Sequence, residues 1–118
     1  MRAAVVLMIL ATGAAAAEVP PGVFVPPLTP ACISSGFGPR PAPGPRGSAM
    51  HWGIDLPAPA GAWVRAAAAG EVVAIRRTRA GTGLEVEIRH ADGLSTRSAQ
   101  LGTVARALAE GRRRVAQG

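Results

Sequence analysis

His51 and Asp55 stand four residues apart in the segment Met50-His51-Trp52-Gly53-Ile54-Asp55-Leu56-Pro57, shortly after Ser34-Ser35-Gly36-Phe37-Gly38-Pro39-Arg40. An imidazole nitrogen and a carboxylate oxygen are both zinc donors, and the pair reads as two of the three protein ligands of a catalytic zinc site. Zinc held in this way polarises a carbonyl and lowers the pKa of its bound water, which is the chemistry of a metal-dependent hydrolase. Glycine and proline interrupt the segment too often for a helix. On a straight strand, residues i and i+4 share a face but lie about 13 Å apart at ~3.3 Å per residue. The backbone must therefore curve between His51 and Asp55, and Gly53 is the residue expected to permit the curve. The competing reading makes His51 an ordinary exposed residue and Asp55 a turn acceptor. No third ligand or general base is obvious in the remainder of the sequence up to Gly118.

The elements that must position this pair are short strands. Glu71 to Thr78 reads as one, with apolar Val72, Val73 and Ile75. In the next, Leu84, Val86 and Ile88 alternate with Glu85, Glu87 and Arg89, a period of two that predicts one buried face and one wet face. Gly81-Thr82-Gly83 supplies the hairpin loop between them, and Asp92-Gly93 the turn into a strand over Leu94 to Leu101. An antiparallel meander follows. Ala31 to Phe37 is expected to form one further short strand, Val104 to Glu110 a helix ended by Gly111, and Arg112 to Val115 the start of another strand. Pro39 to Gly47 repeats proline and glycine and is expected to be an exposed loop.

Composition bounds the rest. A chain of 118 residues holds one domain, and its first part has the pattern of a secretory leader. Arg2 precedes an apolar run from Ala3 to Ala14, and Ala15-Ala16-Ala17 meets the small-residue cleavage rule, which predicts a signal peptide over 1–17 and a mature start at Glu18. The run is shorter than the roughly 20 residues of a comfortable membrane span. Export to the periplasm or beyond is expected, with no transmembrane anchor after cleavage. Glu18 to Pro30 carries five prolines and is read as an extended Pro-rich arm over 18–30.

With two Phe, two Trp and no Tyr, the core must come from Val, Ile, Leu and Ala. The formal charge is +6 and every basic residue is arginine, which favours anionic cell-wall polymers or lipid head groups as neighbours, against a competing reading of simple compositional bias. Arg76, Arg77, Arg79 and Arg112 to Arg114 could contact phosphates. Without an aromatic stacking platform, however, nucleic acid is not an expected partner. Cys32 is the single cysteine, so no intramolecular disulfide forms, and it is read as a small buried apolar residue at a strand start.

Three segments together carry a family resemblance. They are Ser35-Gly36-Phe37-Gly38-Pro39-Arg40, then His51-x-Gly53-Ile54-Asp55-x-x-Ala58-Pro59-x-Gly61, then Val64 to Val73. Over Ser34 to Gly118 the chain resembles the lysostaphin and LytM type of zinc metalloendopeptidase, which cleaves peptide cross-links of bacterial peptidoglycan. The resemblance implies an all-β fold, an antiparallel sheet forming a partly open β-barrel-like core. In that frame 31–118 is the N-terminal part of the peptidase domain, incomplete at its C-terminus. It also implies zinc as cofactor, His51 as first ligand, Asp55 as second, peptidoglycan as partner, and a place for Arg40 near the substrate groove. For Arg40 a solvated loop arginine is the competing reading.

Two departures bear on activity. Gln100 occupies the position of the family's catalytic histidine, and an amide cannot exchange a proton near neutral pH. The family's His-x-His, with its third ligand and second catalytic histidine, lies downstream of the region matching Arg112 to Gly118. The resemblance therefore implies a peptidoglycan metalloendopeptidase relative that is inactive as this 118-residue chain. The alternative is a non-catalytic domain of the same fold that binds peptidoglycan or regulates another cell-wall hydrolase. A fragment of a longer product, a decaying gene and a functional short form all fit these departures, and open strand edges are expected in each. His90, beside the Asp92-Gly93 turn, is expected to be structural.

Overall fold

The computed structural model describes residues 23–41, 44, 49–79 and 81–118; the expected signal peptide and the start of the Pro-rich arm lie outside the described residues. In chain order the elements are β1 (Gly38–Pro39), β2 (Met50–His51), β3 (Gly70–Arg77), β4 (Leu84–His90), β5 (Ser95–Leu101), α1 (Arg106–Ala109) and β6 (Arg114–Val115). β1 and β2 make a two-stranded sheet, and the other four strands make an antiparallel sheet in the order β5-β4-β3-β6, curled into a half-barrel. Among the described residues the fold is all-β apart from one helical turn.

Local sequence accounts for the meander. Thr78 N–H bonds the Gly83 carbonyl at 2.8 Å to close the β3–β4 hairpin. Leu94 N–H bonds the Asp92 carboxylate at 3.0 Å in the next turn, an Asx arrangement that prepares β5. The core is small. Leu28, Val72, Leu84 and Val86 are the buried apolar side chains among the described residues, so β3 and β4 supply three of them and the Pro-rich arm the fourth.

The described part of the arm is docked. Val25 N–H bonds the Ala67 carbonyl at 2.8 Å, and Arg65 N–H bonds the Pro27 carbonyl at 2.9 Å. From the other end of the chain, the Gln117 side-chain amide donates to the carbonyls of Val23 and Ala67, each at 2.9 Å. Proline cannot donate to a ladder, but its carbonyl accepts, and the arm uses that acceptor here.

His90 closes the far end of β4. It is 5% exposed, and its Nδ1–H donates to the Ala69 carbonyl at 2.9 Å while Nε2 accepts from the Thr96 hydroxyl at 2.9 Å. Phe24 meets the ring edge-to-face at 5.0 Å. Gly70 lies opposite in register, where a Cβ would collide with the Arg89 carbonyl and stand 2.8 Å from the Ile88 side chain. The structural role expected for His90 holds, and it extends beyond the turn to joining β4, β5 and the segment before β3.

Three expectations need correction. Ala31 to Phe37 does not form a strand: Ser35 makes a single bridge to Asp55, and pairing resumes only at Gly38. Cys32 is accordingly exposed instead of buried, because no neighbouring strand covers that segment. The face of β4 that carries Glu85 is not wet either. Glu85 is 5% exposed, with register partners that bring Arg76 opposite it on β3 and Arg97 opposite Glu87 on β5. Arg76 Nη1 reaches Glu85 and Glu87 at 3.0 Å each, and Arg97 stands 3.9 Å from both.

The hydrogen bond from Arg76 holds the Glu85 carboxyl below its ordinary pKa, outweighing the opposing effect of burial. A depressed folded-state pKa gives stability that is full above the unfolded value of 4.5 and is lost as pH falls through the folded value. Thermal melts are therefore expected to drop in midpoint below about pH 4.5. Glu85→Gln is expected to melt lower at pH 7 and to show a flatter acid limb; an acid limb unchanged in this variant would refute the assignment.

Candidate metal centre

The two short strands β1 and β2 exist to hold one pair of side chains. Gly38 stands opposite His51, and Ser35 stands opposite Asp55. Three steps along one side are thus matched by four along the other, so residues 52–54 hold one residue in excess, the count that defines a bulge. A bulge bends its strand, and the bend replaces the ~13 Å of a straight strand with contact. His51 Nε2 lies 3.2 Å from Asp55 Oδ1. Gly53 sits in the bulge as expected, but it has no positive φ and open space where a Cβ would be. The unequal count, not a glycine-only conformation, makes the curve.

The partners of the ring fix its chemistry. His51 Nδ1 is 2.7 Å from the Gly36 carbonyl, which can only accept, so Nδ1 carries the proton. In the neutral ring Nε2 is then a bare lone pair aimed at a carboxylate oxygen. Two acceptors at this separation need a cation between them, either a proton or a metal ion. Two ligands each ~2.0–2.1 Å from a tetrahedral zinc would be about 3.3 Å apart, close to what is found here. A backbone carbonyl holding the distal nitrogen is also the usual outer-shell partner of a metal-bound histidine. The His51–Asp55 pair fits zinc as half of a donor set. Among the described residues, no group of three His, Cys, Asp or Glu side chains converges on one point.

Arg40 joins the pair. Its Nη1 donates to Asp55 Oδ2 at 3.2 Å and to the Ser35 hydroxyl at 2.5 Å. Its backbone N–H bonds the Ala49 carbonyl at 2.8 Å, which continues the β1–β2 ladder and seats the side chain over the site. Ser35 Oγ in turn lies 3.4 Å from His51 Nδ1. Exposure is uneven, at 14% for the His51 side chain against 53% for Asp55. The ring is held from behind while the carboxylate opens to solvent. Beside them Phe37 and Trp52 make an edge-to-face pair at 6.1 Å, and both are well exposed.

The structure therefore brings His51, Asp55 and Arg40 together and leaves Gln100 apart from them in hydrogen bonding. Gln100 lies on β5, where its N–H bonds the Thr82 carbonyl at 2.8 Å, and its φ of 56° is the one left-handed non-glycine backbone among the described residues. It falls beside the irregular register between Leu84 and Val86, so the kink belongs to a strand bulge. Ser35 and Gly36 are the site residues that pattern reading undervalued. One acts through a hydroxyl beside an arginine, the other through a carbonyl, and a carbonyl has no signature in a sequence. Arg76, grouped above with possible phosphate contacts, is engaged with Glu85 and Glu87.

Comparison with known proteins adds to this geometry. The family model described as Peptidase family M23 matches residues 49–118. The chain is 41% identical over 86 residues to the DD-carboxypeptidase/endopeptidase Mpg of Neisseria meningitidis serogroup B, covering 73% of this chain and 20% of that protein. The Mpg protein of Neisseria gonorrhoeae matches with the same identity and the same coverage of both chains. The chain thus spans about one fifth of the length of the curated relatives it matches. No solved structure matches it.

The two histidines should separate cleanly on substitution. His90→Ala removes two buried hydrogen bonds and a ring contact and is expected to cost about 2–3 kcal/mol in urea unfolding, without acting on His51. Gly53→Ala, by contrast, is expected to stay within about 0.5 kcal/mol of the parent. A large loss at Gly53 would show that the bulge does require glycine.

Proposed function

The chain belongs to peptidase family M23, and on that premise we propose that it carries two ligands of a zinc-dependent peptidoglycan endopeptidase site. His51 Nε2 and Asp55 Oδ1 would hold the metal, and the observation that carries the reading is their convergence to 3.2 Å with Nδ1 locked on the Gly36 carbonyl. When bound, zinc would supply Lewis-acid polarisation of a peptide carbonyl and an activated water. The residues of this chain do the holding. Gly36 fixes the tautomer, the bulge sets the ligand spacing, and the exposed Phe37 and Trp52 offer an apolar edge along which an extended wall peptide can lie.

The proposal includes a loss of turnover. Gln100, in the position that the family gives to a histidine, offers an amide that cannot shuttle a proton. Export through a cleaved leader over 1–17 and a periplasmic or secreted location are part of the same reading. Among the described residues, no helix is long and apolar enough to cross a membrane. A second reading, a non-catalytic domain that binds peptidoglycan or regulates another wall hydrolase, is favoured by the same glutamine together with the exposed aromatic pair.

The test pairs binding with cleavage. The purified chain is expected to take up zinc in equilibrium dialysis, to lose that uptake in His51→Ala and Asp55→Asn, to co-sediment with insoluble peptidoglycan, and to release no muropeptides from it. Zinc-dependent release of cross-linked peptides would overturn the inactive reading. Zinc uptake unaffected by both substitutions would overturn the site.

A further inference from the structure

The nitrogen Nη1 of Arg40 touches Asp55 and Ser35 at once, and this contact is not explained by folding alone. Arg40 is an exposed-loop residue with a backbone already anchored on Ala49, yet its guanidinium turns inward until its side chain is 26% exposed. Its Nε is fully covered and has no hydrogen-bond partner among the described residues, a cost that a solvated loop arginine would avoid by turning outward. The orientation is bound to what the head group does. A carboxylate has two oxygens, and free rotation lets either one, or both, face a cation. Arg40 occupies Oδ2 at 3.2 Å and leaves Oδ1 directed at His51 Nε2.

We propose that Arg40 is a positioning residue for the metal: it makes Asp55 a ligand through one oxygen and, through Ser35, ties that carboxylate to the segment that also holds the His51 ring. This inference rests on the zinc reading above and adds a role to it. The path is continuous. Arg40 donates to the Ser35 hydroxyl, Asp55 N–H donates to the Ser35 carbonyl at 2.9 Å, and the next carbonyl, that of Gly36, takes the proton of His51 Nδ1. Three consecutive contacts along residues 35–36 therefore set both residues, and the arginine secures the Oδ2 oxygen of Asp55.

Two effects of the arginine oppose each other. Its charge repels an incoming cation and draws electron density from the carboxylate. Its hydrogen bond removes rotational freedom from the ligand and keeps the carboxylate from turning both oxygens on the metal. Outer-shell partners of ligands typically strengthen metal binding by about 10- to 100-fold, so positioning is expected to win.

The experiment measures zinc affinity by equilibrium dialysis and the visible spectrum of the cobalt-substituted protein for the parent chain, Arg40→Met, Arg40→Lys and Ser35→Ala, with thermal melts of each. Arg40→Met is expected to weaken zinc by about tenfold or more and to change the cobalt bands, with an unchanged melt. Arg40→Lys should recover most of the affinity, because one nitrogen makes both contacts in the parent and a single ammonium can replace it. Ser35→Ala should fall between them. If Arg40→Met binds zinc as tightly as the parent, or more tightly, the charge dominates and the positioning role is wrong while the zinc site stands. If the parent takes up no zinc and His51→Ala changes nothing, the zinc reading fails and takes this role with it.

Discussion

One residue too many between His51 and Asp55 is the constraint on which the site depends. Antiparallel pairing against residues 35–38 is satisfied at both ends, at Gly38 with His51 and at Ser35 with Asp55, and the surplus has to bow out between them. Regular pairing would keep the two side chains most of a strand length apart. The bulge gives up regular pairing at 52–54 and brings an imidazole nitrogen within 3.2 Å of a carboxylate oxygen, and such bulges are common beside active sites. The same short segment that pairs with both residues also contributes the carbonyl that fixes the His51 tautomer and the hydroxyl that Arg40 grips.

The four-stranded sheet is stabilised differently on its two faces. On one, Val72, Leu84 and Val86 are buried, and with Leu28 of the arm they make up the buried apolar side chains among the described residues. On the other, Arg76 and Arg97 gather the carboxylates of Glu85 and Glu87 into a ladder across three strands. Cross-strand pairs of opposite charge do the work there that a second apolar layer does in larger sheets. That arrangement also lowers the number of arginines available to an external polyanion, so the formal charge overstates how basic the sheet surface is.

Much of the fold was legible because its signals are local. The Leu84, Val86, Ile88 alternation and the Asp92-Gly93 turn placed β4 and the start of β5 within a residue, and the curve that the His51–Asp55 spacing demanded is present, with the two side chains 3.2 Å apart. Ala31 to Phe37 misled because apolar content reads as a strand, whereas strands need partners, and this segment finds one only at Ser35. Glu85 misled for a related reason: alternation reports the two faces of a strand but not what covers each face. Gly36 was beyond reach in principle, since its contribution is a carbonyl that every residue possesses.

The clasp made by Gln117 has a consequence for how the chain acquires its shape. Its amide holds Val23 across 94 positions of sequence, and Gly118 N–H bonds Ala66 alongside it. Contacts of such separation carry a high loop-closure cost and form late. The meander, built from neighbouring hairpins, can assemble as soon as it is synthesised. The start of the arm, with the Phe24 ring against His90, gains this last tie only when residues 117–118 have been made. Until that clasp closes the arm is held by two backbone bonds, Val25 to Ala67 and Arg65 to Pro27, so its register along residues 65–67 is fixed before its end is.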